Sequence, residues 1–133
     1  MPIEYKVSQD GKRIDVFPKG VLDASQTIDY FKKLEFDSSV KPNAIEVVDF
    51  SGVTEFRMAY HNSQNITQSY QKLKSAQSIY ATVFLCNSTV SFGISRMFQA
   101  LHEAANPEHK VIVVKTDVEL EEQLKMLRQE IPD

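Results

Sequence analysis

The 133-residue sequence is 42% apolar and 25% charged, with 15 basic and 18 acidic side chains and a formal charge of −3. Such values fit a soluble globular protein of one domain, residues 1–133, long enough to bury a core without staples. The slightly acidic balance lacks the electrostatic footprint of a nucleic-acid binder, one cysteine excludes an internal disulfide, and no apolar run approaches the ~20 residues of a membrane span.

The opening MPIEYKVSQD has no basic-then-apolar signal layout, so a cytoplasmic location is expected. Ile3, Tyr5 and Val7 alternate with Glu4, Lys6 and Ser8, a strand period. Asp10-Gly11 is a tight-turn signal, and Arg13 to Phe17 resumes as a second strand of a hairpin. Pro18 stops it, and Gly20-Val21-Leu22 reads as its continuation after a kink. Asp23 predicts a helix N-cap, with Gln26 placed to reach back and Ile28, Phe31 and Leu34 at helical spacing.

Residues 35–43 read as a loop, and AIEVVDF (44–50) as a buried strand. A second helix is predicted from about Arg57 to Lys74, with Ala59, Ile66, Tyr70 and Leu73 on one face. IYATVFLC (79–86) is the next strand. Ser88 or Ser91 is placed to cap a third helix carrying Ile94, Met97, Phe98 and Leu101, which Asn106-Pro107 ends. KVIVVK (110–115) lacks alternation, so both its faces are expected to be covered. Thr116 to Glu119 is a capping box before Leu120, Leu124 and Leu127. The order β-β-α-β-α-β-α-β-α predicts an α/β fold: a mostly parallel mixed sheet with an antiparallel edge hairpin and about four helices.

Three segments then carry a resemblance. Gly20-Val21-Leu22-Asp23 resembles a G-x-L-D lead into a first helix, and Val48 to Thr54 (VDFSGVT) resembles a D-x-S-G-V turn before a second. Phe92 to Phe98 (FGISRMF) resembles a helix of the stand-alone, Sec14-related branch of the same group. Together, in order, they resemble the STAS/SpoIIAA-like domains of sulphate transporters and anti-sigma factor antagonists, in a stand-alone bacterial form. The resemblance implies a SpoIIAA-like fold and regulation by protein binding. Switch proteins of that group carry a phosphorylated serine after the turn. Here that stretch is Arg57-Met58-Ala59-Tyr60, and neither Met58 nor Ala59 has a hydroxyl to take a phosphoryl group.

Catalytic signatures are weak. There is no G-x-S-x-G elbow, the four glycines are too scattered for a phosphate loop, and His61, His102 and His109 lack ligand spacing with Cys86. The histidines read as solvent-facing or capping, and Cys86 as a buried thiol at a strand end. Asp49, Ser88 and Lys115 at successive strand ends suggest a receiver-like phosphoacceptor, yet Pro18-Lys19-Gly20 stands where a second acidic group would hold its metal. No enzyme activity, cofactor or metal is expected. From Met58 to Gln71 there is no Asp, Glu, Lys or Arg, and a neutral polar helix face costs less to desolvate against a partner. Phe56, Arg57, Met58, Tyr60, His61 and Gln64 are therefore the candidate partner-binding residues, with a protein as partner and a homodimer also compatible. Phe92, Arg96 and Met97 are the alternative, lining a pocket under the third helix for a lipid or small apolar ligand.

Overall fold

A computed structural model describes residues 3–57, 63–105 and 109–131. Strand β1 (Glu4–Val7) pairs antiparallel with β2 (Arg13–Phe17), placing Tyr5 opposite Val16 and Val7 opposite Ile14. The turn between them needs Gly11, which has φ +74°; a Cβ there would lie 2.4 Å from the Lys41 side chain and 2.5 Å from the Ser39 carbonyl oxygen. Strand β3 (Gly20–Asp23) follows, then helix α1 (Ala24–Glu35), β4 (Ile45–Asp49), a 3-10 turn (Phe50–Gly52) and β5 (Val53–Arg57). Helix α2 (Ser63–Gln77), β6 (Ala81–Leu85), α3 (Thr89–Ala105), β7 (Lys110–Val114) and α4 (Asp117–Glu130) complete the described order.

The main sheet runs β1-β2-β4-β6-β7, with every pair after the hairpin parallel. Its two faces are sorted by residue parity. Val48 and Phe84 point to the face covered by α1, α2 and α3, among Phe31, Leu34, Ile66, Tyr70, Leu73 and Phe98. Ile45, Val47, Ala81 and Val83 point to the other face, against Leu120, Leu124 and Leu127 of α4. Two-sided burial is why β4 and β6 show no polar alternation in the sequence.

The expected mixed sheet with an antiparallel edge hairpin is present, and among the described residues there are four α-helices. Two details differ. Gly20 to Leu22 does not extend β2: Gly20 turns at φ +67°, and β3 leaves the main sheet to pair in parallel with β5. Likewise the second helix, expected from about Arg57, is described from Ser63, and the stretch from Val53 to Arg57 is a strand rather than a turn leading into a helix. Its Val, Thr and Phe suit a pleated edge, and Leu22 lies opposite Phe56 and Asp23 opposite Arg57 in a separate two-stranded sheet. Met58, Ala59, Tyr60 and His61 lie outside the described residues.

Candidate functional site

The C-terminal ends of the parallel strands carry a run of caps. Asp23 Oδ1 accepts from the Gln26 N–H at 2.8 Å, and Asp49 Oδ1 from the Ser51 N–H at 2.9 Å. Ser88 and Ser91 form a reciprocal box: Ser88 Oγ accepts from the Ser91 N–H, and Ser91 Oγ from the Ser88 N–H, both at 3.1 Å. Thr116 Oγ1 accepts from the Glu119 N–H at 3.1 Å, while Glu119 reaches back to the Lys115 N–H. These bonds satisfy backbone donors that a helix start leaves free. Asp49 and Ser88 are thus occupied locally, and the Lys115 ammonium sits 4.5 Å from the centre of the Phe92 ring.

Beyond these caps, β3 and β5 form a ledge with an exposed outer row. Thr54, Glu55 and Arg57 face solvent, and Arg57 pairs with Glu55 at 3.1 Å. Phe56 instead turns inward, edge-on to Phe50 with ring centres 5.7 Å apart. On α3, Val90 near the start is 64% exposed and Met97, two turns on, 37%.

A second cluster lies toward the N-terminal ends of the strands, and its partners are not adjacent in the sequence. Parallel register sets Glu46 of β4 beside Thr82 of β6. Both are buried, Glu46 at 2% and Thr82 at 1% exposure. Thr82 Oγ1 donates to Glu46 Oε1 at 2.9 Å, and the Tyr30 hydroxyl donates to Glu46 Oε2. Tyr70 Oη lies 3.0 Å from Thr82 Oγ1 and 2.5 Å from His109 Nε2.

The proton directions follow from counting. Thr82 has one proton, and Glu46 takes it. His109 Nδ1 is buried without a hydrogen-bond partner. An unpaired acceptor costs less there than an orphaned N–H, so the proton belongs on Nε2. His109 then donates to Tyr70, Tyr70 to Thr82 and Thr82 to Glu46, a chain of donors converging on one carboxylate.

Burial dominates the acid–base behaviour of this cluster. It raises the Glu46 carboxyl above its ordinary pKa, against the lowering effect of the Tyr30 and Thr82 hydrogen bonds. It also pushes His102 down to about 4 and His109 to about 3, helped in each case by the nearby Lys74 charge. His102 packs edge-on to Tyr70 with ring centres 4.1 Å apart. The expectation that His102 and His109 face solvent or serve as caps is corrected: their rings complete the core between α2, α3 and the sheet. Cys86 is buried as expected; burial raises its thiol, which donates to the Val114 carbonyl at 3.3 Å.

Beside this cluster is a cavity of about 40 Å³. Tyr30, Phe31, Phe50, Tyr70, Phe84 and Phe98 supply the aromatic part of its wall, Ile3, Val16, Leu22 and Val48 an aliphatic part, and Glu46 its one carboxylate. Among the described residues no group of three or more His, Cys, Asp or Glu is placed to hold a metal ion, and no helix is long and apolar enough to cross a membrane.

No family model matches the sequence, and no curated protein matches it. Solved structures do match in shape. The anti-sigma factor antagonist SpoIIAA in its unphosphorylated form is 12% identical, with TM-score 0.54 over 95% of this chain and 97% of that one. The Bacillus cell fate determinant SpoIIAA in its phosphorylated form is 14% identical, with TM-score 0.51 over 92% and 98%. An uncharacterized protein of the DUF3478 family with a SpoIIAA-like fold, from Shewanella loihica, is 13% identical, with TM-score 0.55 over 92% and 91%. The fold is SpoIIAA-like.

Within this SpoIIAA-like fold the predicted residues are dispersed. Arg57 lies on the exposed ledge, Phe56 packs into the core beneath it, and Gln64 lies in the first turn of α2 with its side chain outside the described set. Met58, Tyr60 and His61 are outside the described residues. Farther along α2, Asn65, Gln68 and Gln71 are exposed. Phe92, Arg96 and Met97 do not line the cavity. Phe92 lies under Lys115, Arg96 donates to Gln99 at 2.9 Å on the surface, and Met97 faces solvent. Helix α3 reaches the cavity through Phe98 and His102, one position round from the face the sequence suggested.

Proposed function

We propose that this chain works by non-covalent docking of a protein partner at the C-terminal end of its sheet, through the β5 ledge, the 57–64 segment and the exposed start of α3. The observation that carries this reading is the arrangement of that end. Asp23, Asp49, Ser88 and Thr116 are occupied in caps there, while Arg57 and Val90 project into solvent. An exposed apolar side chain and an arginine are residue types suited to anchoring an interface. The shape likeness to an anti-sigma factor antagonist supports a regulatory role of the same kind. A phosphoserine switch at Met58 or Ala59 forms no part of it, since neither side chain has a hydroxyl. A lipid carrier is disfavoured because about 40 Å³ does not admit an acyl chain.

The test is site-specific photo-crosslinking in cells. A benzophenone side chain placed at Arg57 or Val90 should trap the same discrete protein adduct. The same group at Met126, exposed on α4 across the sheet, should not. Equal adducts at all three positions, or none at the first two, would overturn the proposal.

A further inference from the structure

The cavity beside Glu46 has an unusual wall for a space of its size. Phe50 and Phe84 stack at 5.4 Å between centres, Phe84 and Phe98 at 6.0 Å, and Phe31 meets Tyr70 edge-on at 5.3 Å. The same wall includes Glu46, a carboxylate whose hydrogen-bond partners, Tyr30 and Thr82, are both neutral. Among the described residues no ion pair reaches it. A carboxylate has roughly four lone-pair positions, and two are used here. Ring faces are the negative pole of an aromatic quadrupole.

We propose that the cavity is a binding site for a free small alkylamine, taken up as its ammonium ion with its methyl carbon on the rings and its charge on Glu46. A cation satisfies both features together, whereas an anion is repelled and a neutral apolar molecule uses only the rings. The volume sets the size. About 40 Å³ is about three times the roughly 10–15 Å³ that one water needs on the same measure, which limits the guest to a few heavy atoms, methylammonium or a close relative.

Binding is proton-linked. Burial raises the Glu46 carboxyl, so in whatever fraction of the empty protein carries the acid form its O–H bond breaks as the cation enters and the proton passes to buffer. The groups facing the site from the packed elements are Tyr30 of α1, Tyr70 of α2, Thr82 of β6 and His102 of α3. His109 lies behind Tyr70, and the Lys74 charge acts on both histidines. Alkylammonium ions keep their charge near neutrality, as lysine does with its pKa of about 10.4, so affinity should rise with pH while Glu46 titrates.

The experiment uses the full chain and methylammonium chloride, with sodium chloride and methanol as the charge and size controls. At about 100 mM, enough to fill a millimolar site, methylammonium alone should raise the unfolding temperature. Glu46→Gln, which keeps the shape, should weaken binding at least about tenfold if the charge carries it. Nuclear Overhauser contacts from the methylammonium methyl to ring protons of Phe84 and Phe98 test the site in the unaltered protein, whatever the variant's fate. Absent contacts overturn the proposal. Stabilisation by methanol equal to that by methylammonium also overturns it, as does tighter binding of N-acetyl-lysine amide, which carries the same ammonium on a long stem.

Discussion

At the C-terminal ends of the parallel strands, Asp23, Asp49, Ser88 and Thr116 bond backbone N–H groups within three residues of themselves and keep some contact with water. Toward the N-terminal ends, Glu46, Thr82, Tyr70 and His109 bond one another out of water, across as many as 39 residues of sequence. The first set orients chain segments at the surface, where the proposed partner would dock. The second fixes how α1, α2 and β7 sit on the sheet, because each bond joins a different pair of elements. Losing a cap frays one helix start, whereas losing a member of the buried set strands several polar groups at once.

The largest expected effect separates the two regions by pH. His102 and His109 have native pKa values of about 4 and about 3 against an ordinary 6.5. Between those limits the unfolded chain binds protons that the native protein refuses. Their contribution is therefore present above pH 6.5 and lost as pH falls toward 4, by about 3 kcal/mol for His102 alone. Glu46 acts in the opposite sense. Its raised native pKa gives stability that is full below the ordinary carboxyl value and lost as pH rises through the native one. Urea unfolding from pH 7 to 4 should show a steep loss, shallower in His102→Phe and steeper in Glu46→Gln. A profile unchanged by both substitutions would mean that the buried groups are hydrated in solution.

Next in size is Thr82→Val, which keeps the shape and removes the hydroxyl that receives from Tyr70 and donates to Glu46. It leaves two buried groups short of a partner and should cost about 1–3 kcal/mol in denaturant unfolding. Losing that donor should also raise the Glu46 carboxyl further, readable in a carbon-13 titration. A neutral effect on both readings would show that the chain does not run through Thr82.

The two regions were unequally legible in the sequence, for one physical reason. Caps are local. Asp23, Ser88 and Thr116 announce themselves by the N–H a few residues on, and all three occur as predicted. The alternation of strands and helices gave the main sheet in the same way, since each period is written within one element. The Glu46 cluster depends on register between strands 36 residues apart and on which face of α2 turns inward, neither of which composition expresses. One signal was present: a lone Glu inside AIEVVDF, in a strand expected to be covered, requires buried partners. The β3–β5 ledge is not legible because Val53 to Arg57 is short and follows a Ser51-Gly52 turn signal directly before the stretch expected to be helical from about Arg57.

Smaller effects belong to the capped end. Thr116→Ala removes one cap bond from an exposed helix start and should cost about 1 kcal/mol, with the loss of amide protection confined to the first turn of α4. A loss spread over β6 and β7 would instead tie the cap to the sheet.

The smallest stability effect should come from Arg57→Glu. Its ion pair with Glu55 joins side chains that are 66% and 50% exposed, and such pairs contribute at most about 0.5–1 kcal/mol. The substitution places two carboxylates side by side on β5, where water screens them. If the ledge is a docking surface, the unfolding midpoint should barely move while adduct formation from a benzophenone at Val90 falls severalfold. Those two readings divide the cases. A large loss of stability would make Arg57 part of the scaffold that holds β5 to β3, and unchanged crosslinking would move the partner's footprint off the ledge and onto α3 alone.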